Sequence, residues 1–188
     1  IYSTANQLVT LGGDNNVFGG TTEGAGNYVA GGGGNGVVLS GQTPFGGASS
    51  FNNIVQGNCI GTNANCEYEP GFGNTNVGLL VIADTYNSQI GGIEPGAGNT
   101  IAGNGAGIGI GGIATYYPLG TSVLINSIYN NTGAVAPSGI AGGIDLFQSN
   151  DFVDFINIGV TPNDVNDIDY EGSNTGPNHY LNFPVLNS

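Results

Sequence analysis

Four acidic residues near the C-terminus, Asp164, Asp167, Asp169 and Glu171, fall in the run Asp-Val-Asn-Asp-Ile-Asp-Tyr-Glu. Ca²⁺ takes six to eight oxygen ligands, which closely spaced Asp and Asn side chains and backbone carbonyls can supply. This run is therefore the candidate metal site, and Ca²⁺ the one expected cofactor. Its spacing is not that of an EF-hand, which needs Gly at the sixth position and Glu at the twelfth. A second pair, Asp84 and Asp145, closes the segments Leu-Leu-Val-Ile-Ala-Asp and Gly-Ile-Asp at similar repeat phases. An inverting glycosidase needs two carboxyl groups about 6.5–9.5 Å apart. Two solvated strand-edge acids are the preferred reading of this pair. His179, the single histidine, has no Ser or Cys site beside it and reads as a surface or capping residue. No catalytic residue is assigned.

Cys59 and Cys66 stand either side of Ile-Gly-Thr-Asn-Ala-Asn. Two thiols and a distant His make a poor zinc set, since structural zinc wants four ligands. A local disulfide stapling a loop is expected instead, and with it an oxidising, extracellular compartment. Asn130-Asn131-Thr132 is the one sequon, at a chain corner, which makes Asn130 a candidate glycosylation site. Tyr116-Tyr117-Pro118 follows Gly111-Gly112 as an insertion. If exposed, the paired rings would stack on sugar faces or on a neighbouring subunit; the other reading is a loop folded over the flank.

The composition narrows the partners. The chain has 188 residues with no Lys or Arg, 13 Asp plus Glu and a net charge of −13. A nucleic-acid binder neutralises phosphates with basic side chains, and a polybasic membrane anchor needs them too; both are excluded. No apolar run approaches a transmembrane length of 18 residues, so no membrane insertion is expected. Seven of the 13 acids lie between Asp145 and Glu171, and none has a Lys or Arg to pair with, so a bound cation is the natural counter-charge. The first residue is Ile1, which suggests a processed form or a piece of a longer chain.

Positioning these residues falls to repeats. Gly and Asn together supply 63 residues, against an average of about 7% for Gly. Asn15-Asn-Val-Phe-Gly-Gly-Thr-Thr-Glu-Gly-Ala-Gly-Asn27 matches Asn87-Ser-Gln-Ile-Gly-Gly-Ile-Glu-Pro-Gly-Ala-Gly-Asn99 without a gap, 72 residues on. A weaker pair sets Val55-Gln-Gly-Asn-Cys-Ile60 against Val123-Leu-Ile-Asn-Ser-Ile128. Strands of three to five residues closed by Gly or Asn cannot make long hairpins. A coil of about 20–25 residues turning three corners can instead stack on its neighbour as a parallel β-solenoid. Gly and Asn tolerate the positive φ of tight corners, stacked Asn side chains can form hydrogen-bond ladders, and alternate Val, Ile and Leu point inward. No segment has a useful 3.6-residue apolar period, so no long helix is expected. The fold class is all-β.

Asn-Xaa-Ile-Gly-Gly, Gly-Ala-Gly-Asn-Xaa-Ile-Xaa-Gly and Asn-Ile-Val-Gln-Gly-Asn-Cys-Ile-Gly-Thr resemble the Gly/Asn-rich, pectate-lyase-like repeats of large secreted and surface-attached microbial proteins. The resemblance implies a right-handed parallel β-helix over residues 1–147, of roughly 5–7 short rungs. It also implies a closing segment over 148–188, where Gly159-Val-Thr-Pro-Asn-Asp164, Asn174-Thr-Gly-Pro-Asn178 and Leu181-Asn-Phe-Pro-Val-Leu186 are similar to the family's closing sequence. Pectate lyases of this architecture use Ca²⁺ together with an Arg base, and the absence of Arg here excludes that mechanism.

A solenoid has two open ends of unpaired strand edges, normally capped. Phe152, Phe155, Phe183 and Leu186 equip the C-terminal segment as a cap, whereas Ile1 and Tyr2 lead almost directly into repeat sequence. The expected function is accordingly a secreted, non-catalytic subunit of an extracellular filament or surface assembly. Its partners are copies of itself, joined end to end. A glycan-binding surface module is the alternative, and a polysaccharide-degrading enzyme a distant third.

Overall fold

The computed structural model describes residues 7–42, 46–113, 115–132 and 142–149. Short apolar runs stopped by Gly or Asn become fifteen strands, and no helix forms among these residues. In chain order they are β1 (Gln7–Leu11), β2 (Val17–Gly19), β3 (Tyr28–Val29), β4 (Asn35–Ser40), β5 (Ser50–Phe51), β6 (Ile54–Gln56), β7 (Cys59–Ile60) and β8 (Val77–Ile82). There follow β9 (Thr85–Tyr86), β10 (Gln89–Gly91), β11 (Thr100–Ala102), β12 (Ala106–Ile113), β13 (Ser122–Leu124), β14 (Ser127–Tyr129) and β15 (Ile144–Ser149). β15 runs through residue 147, where the repeats were expected to end.

Every strand pairing is parallel. The first sheet has the order β1-β4-β8-β12-β15, the second β13-β10-β6-β2 and the third β14-β11-β7-β3; β5 and β9 form a small fourth. The chain therefore visits the first, second and third sheets in turn and returns, so that β1, β2 and β3 line one edge and β13, β14 and β15 the other. Equivalent Asn residues of successive circuits are 31, 41 and 27 residues apart. The circuits are longer and less regular than the expected 20–25 residues, because loops enter at the corners. The 72-residue repeat spans two circuits, from Asn27 through Asn58 to Asn99. The corner between the second and third sheets is a loop in the circuits holding β2 and β10, but only two residues, Gly57-Asn58 or Ile125-Asn126, in the circuits between and after them.

The main core is a set of columns one residue wide. Val37, Leu79 and Ile108 stack along the first sheet, with Leu39, Val81 and Ile110 two residues on. Val55 and Ile90 face them from the second sheet, and Val29, Ile60 and Ile101 from the third; all are at most 1% exposed. Alternation of inward apolar and outward polar residues fails in the first sheet. β8 (Val-Gly-Leu-Leu-Val-Ile) and β12 (Ala-Gly-Ile-Gly-Ile-Gly-Gly-Ile) are buried at every position. Their other face carries a second core of Val38, Leu80, Ile82, Ile113 and Phe147. A parallel sheet covered on both faces reads as a continuous apolar run. Gly109 and Gly111 serve this face, since a Cβ on either would meet the Phe147 ring, and a Cβ on Gly112, the next residue, would meet the Tyr117 ring.

Candidate functional site

The corners turn on residues with positive φ, and those entering the second sheet stack one above another: Asn15 (57°), Asn52 (55°), Asn87 (53°) and Gly120 (69°). Beyond the second sheet stands a buried ladder of carboxamides. The side-chain oxygen of Asn58 accepts from the backbone N–H and the side-chain NH₂ of Asn27, at 3.0 and 3.1 Å. Asn99 accepts in the same way from Asn58 at 3.0 and 2.9 Å, and Asn126 from Asn99 at 3.0 and 2.8 Å. Each NH₂ also reaches back to the preceding circuit: Asn58 to Phe18 O, Asn99 to Val55 O, Asn126 to Ile90 O. A parallel column beyond the third sheet runs Gly32, Asn74, Asn104, Asn131. Buried amides cost little when each donor and acceptor is satisfied. Within the ladder they are.

The ladders have direction. Every circuit donates forward to the side-chain oxygen of the next. Among the described residues, the edge lined by β1–β3 therefore ends in an accepting oxygen, on Asn27, and the edge lined by β13–β15 ends in a donor, the N–H of Asn126, whose NH₂ bonds Ile90 O and Leu124 O. The main core thins at these edges. The hydrophobic residues that pack against it while only partly buried are Val9 and Leu11 of β1, Phe18 of β2, Val123 of β13, Ile128 of β14 and Leu146 of β15. All six are on edge strands. Ile125, at the corner between β13 and β14, is 70% exposed and holds φ = 51°. A β-branched side chain rarely adopts that conformation.

Cys59 and Cys66 form the expected disulfide, with Cα atoms 5.1 Å apart, anchoring the loop after β7. Beside it lies an open depression of about 360 Å³ between Tyr28, Ala30, Thr62, Ala64 and Phe72. A smaller one of about 240 Å³ lies against Thr21, Thr22, Glu23 and the disulfide, and Tyr28 lines both.

The other expected residues do not converge. Asp145 lies opposite Gly109, which lies opposite Leu80 on a strand two places away, whereas Asp84 lies past the end of that strand, beyond the positive-φ corner at Ala83. Two strand spacings alone put about 10 Å between them, beyond the glycosidase spacing. Nor are both solvated: Asp145 is 2% exposed and Asp84 half-buried. Asp84 instead accepts from the Tyr86 phenol, whose pKa is raised by burial first, then by the charge and hydrogen bond of Asp84. Tyr86 stacks on Phe51, ring centres 5.1 Å apart.

Of the two readings of the Tyr116-Tyr117 insertion, the loop folded over the flank is the one found: Tyr117 is 8% exposed, over Gly112, and Tyr116 packs on the second core. Glycines on that face leave room for rings, so the insertion folds inward. Asn130 is exposed, with φ = 51°, at the corner after β14. Ile1, Tyr2, the acids Asp164, Asp167, Asp169 and Glu171, and His179 lie outside the described residues. No group of three metal-ligating side chains occurs among the described residues, and no helix there is long and apolar enough to cross a membrane. Tyr28 and the ladder termini were missed as site residues, since only the register places them at an edge. Comparison with protein-family models, curated proteins and solved structures finds no match for this chain.

Proposed function

We propose that this chain is a non-catalytic structural subunit, a right-handed parallel β-helix that assembles through its two ends into an extracellular filament or surface layer. One observation carries the reading. The partly buried side chains of the main core all lie on edge strands, at both ends of the stack. Strand edges over an apolar interior invite another chain, and head-to-tail contacts that do not close make filaments. The disulfide supports an oxidising, secreted setting. Separation of Asp84 from Asp145 supports the non-catalytic part.

Sedimentation velocity over a hundredfold range of concentration, with electron microscopy of the same samples with and without Ca²⁺, tests this. Growth of end-to-end oligomers or fibres with concentration is expected; a uniform monomer throughout overturns it. A second reading, a glycan-binding module, draws on the depression beside Tyr28 and Phe72. Its volume falls within the usual ligand range of about 300–1,000 Å³, and both rings are partly exposed, at 47% and 38%. A glycan array with wild type and Tyr28→Ala separates that reading from the first.

A further inference from the structure

We infer that one water molecule is built into the corner between the first and second sheets, held by Asn53, Thr85 and Ser88. This corner has a side-chain column of its own, formed by the residue after each positive-φ asparagine: Asn16, Asn53 and Ser88 follow Asn15, Asn52 and Asn87. Its first step repeats the pattern of the ladders beyond the second and third sheets. The Oδ1 of Asn53 accepts from the backbone N–H and the NH₂ of Asn16, both at 2.9 Å. The Asn53 NH₂ gives its hydrogens to Gly13 O at 2.9 Å and to Ser50 Oγ, three residues back, at 2.7 Å.

The second step departs from that pattern because the residue is a serine. Ser50 pairs with Thr85 and Ile54 with Gln89, so Asn53 and Ser88 occupy equivalent places in successive circuits. An Asn at 88 would set its Oδ1 against the N–H of Asn53 and its NH₂ against Thr85 Oγ1, as Asn53 does with Asn16 and Ser50. The hydroxyl of Ser88 stops short of both. Its Oγ is buried without a hydrogen-bond partner. The N–H of Asn53, which lies between β5 and β6 rather than in a strand, has no acceptor among the described residues.

Bulk solvent does not reach this point: Ser50, Asn53, Thr85 and Ser88 are all at most 1% exposed. Buried polar groups are ordinarily paired, with protein or with ordered water. A buried water makes about three hydrogen bonds to groups that the protein leaves unsatisfied, and this corner supplies them in the right senses. The Asn53 N–H and the Ser88 O–H donate. Thr85 Oγ1, which itself donates to Ile82 O at 2.7 Å, keeps lone pairs that accept. The water therefore accepts twice and donates to Thr85 Oγ1, standing where the amide head of an asparagine stands one circuit earlier. All four side chains of the cluster are neutral, so the site suits a small neutral molecule and not an ion. It carries the ladder from the circuit of β6 to that of β10 through solvent.

A high-resolution crystal structure of the wild-type chain is the direct test. Density for one water within hydrogen-bonding distance of both Asn53 N and Ser88 Oγ is expected. Ser88 Oγ bonded directly to Asn53 N, or no density between them, overturns the site. Amide hydrogen exchange of two variants tests what the water does. Ser88→Asn brings its own amide head, and is expected to displace the water, slow exchange at Asn53 N–H several-fold and raise the chemical-denaturation midpoint. Ser88→Ala removes one of the water's partners, and is expected to speed that exchange several-fold and lower the midpoint. Wild-type exchange and midpoint in Ser88→Ala would mean that Ser88 holds no water. Should Ser88→Asn fail to fold by circular dichroism, the wild-type density and Ser88→Ala decide.

Discussion

The junction between β6–β7 and β10–β11 and the edge at β13–β14 are built from the same parts, yet one is closed and the other open. Both carry a two-residue corner ending in a carboxamide, and inward Val or Ile. At the closed junction Asn58 and Asn99 are 1% exposed, with Val55, Ile60, Ile90 and Ile101 fully buried. At the edge Val123 and Ile128 are only partly buried, and Asn126 has no forward acceptor among the described residues. Chemically similar residues thus differ in energetic weight according to whether a further circuit follows. Removing one partner of a satisfied buried pair strands the other at about 1–3 kcal/mol, whereas at an edge water can substitute.

The largest difference is expected at the corner itself. Gly57 combines φ = 67° with a Cβ position that falls on Gly20 O. Gly57→Ala should cost about 3 kcal/mol or more, from left-handed strain together with overpacking, read as a fall in the chemical-denaturation midpoint. Ile125→Gly, at the matching place on the edge, should instead be neutral or stabilise the monomer by up to about 1 kcal/mol. It exchanges left-handed strain of about 1–2 kcal/mol against the entropy of Gly. Equal effects would erase the distinction between interior and edge.

Next comes the ladder. Asn99→Ala strands the N–H of Asn58, takes one of three acceptors from its NH₂ and removes the side-chain donor to Val55 O, and should destabilise by about 2–4 kcal/mol on the cost of orphaned buried groups. Asn126→Ala should cost less than half of that in the monomer. Reducing the Cys59–Cys66 bond should lower stability by about 2–3 kcal/mol through the freed loop. Hydrogen exchange should then report faster opening around β7 than around β13, which the disulfide does not touch.

The smallest expected effect is at Tyr86. A raised phenol pKa means that the folded state holds its proton more tightly than the unfolded chain. That stability is full below the ordinary value of 10 and is lost as pH rises through the folded value. Comparing wild type with Tyr86→Phe above pH 10 should show a steeper alkaline decline in wild type. Identical profiles would mean that Asp84 and burial do not act on Tyr86 as described.

Much of this layout was legible in the residues, and the misses have physical causes. The Asn-Val-Phe-Gly-Gly and Asn-Ser-Gln-Ile-Gly-Gly repeat announced stacked corners, but its 72-residue spacing is two circuits because only alternate circuits carry a loop between the second and third sheets. Loop length at a corner does not alter the core columns, so nothing holds it constant. β8, read as an alternating strand, contained the signal of a doubly covered sheet in Leu-Leu-Val-Ile. Tyr117 seemed available for stacking until the ring-accepting glycines of β12 were placed under it. Asp84 and Asp145 shared a repeat phase but not a register.

By itself the sequence determined the strand-and-corner grammar: Gly and Asn allow the positive φ that tight turns require, and short apolar runs between them leave no room for helices or long hairpins. It also determined which chemistry was absent, since no Lys or Arg can appear through folding. Only the tertiary structure decided which circuits are neighbours, because parallel pairing joins residues tens of positions apart and inserted loops hide the count. That register gave the asparagine ladder its direction. It also sorted equivalent side chains into a fully buried middle and partly buried edge strands.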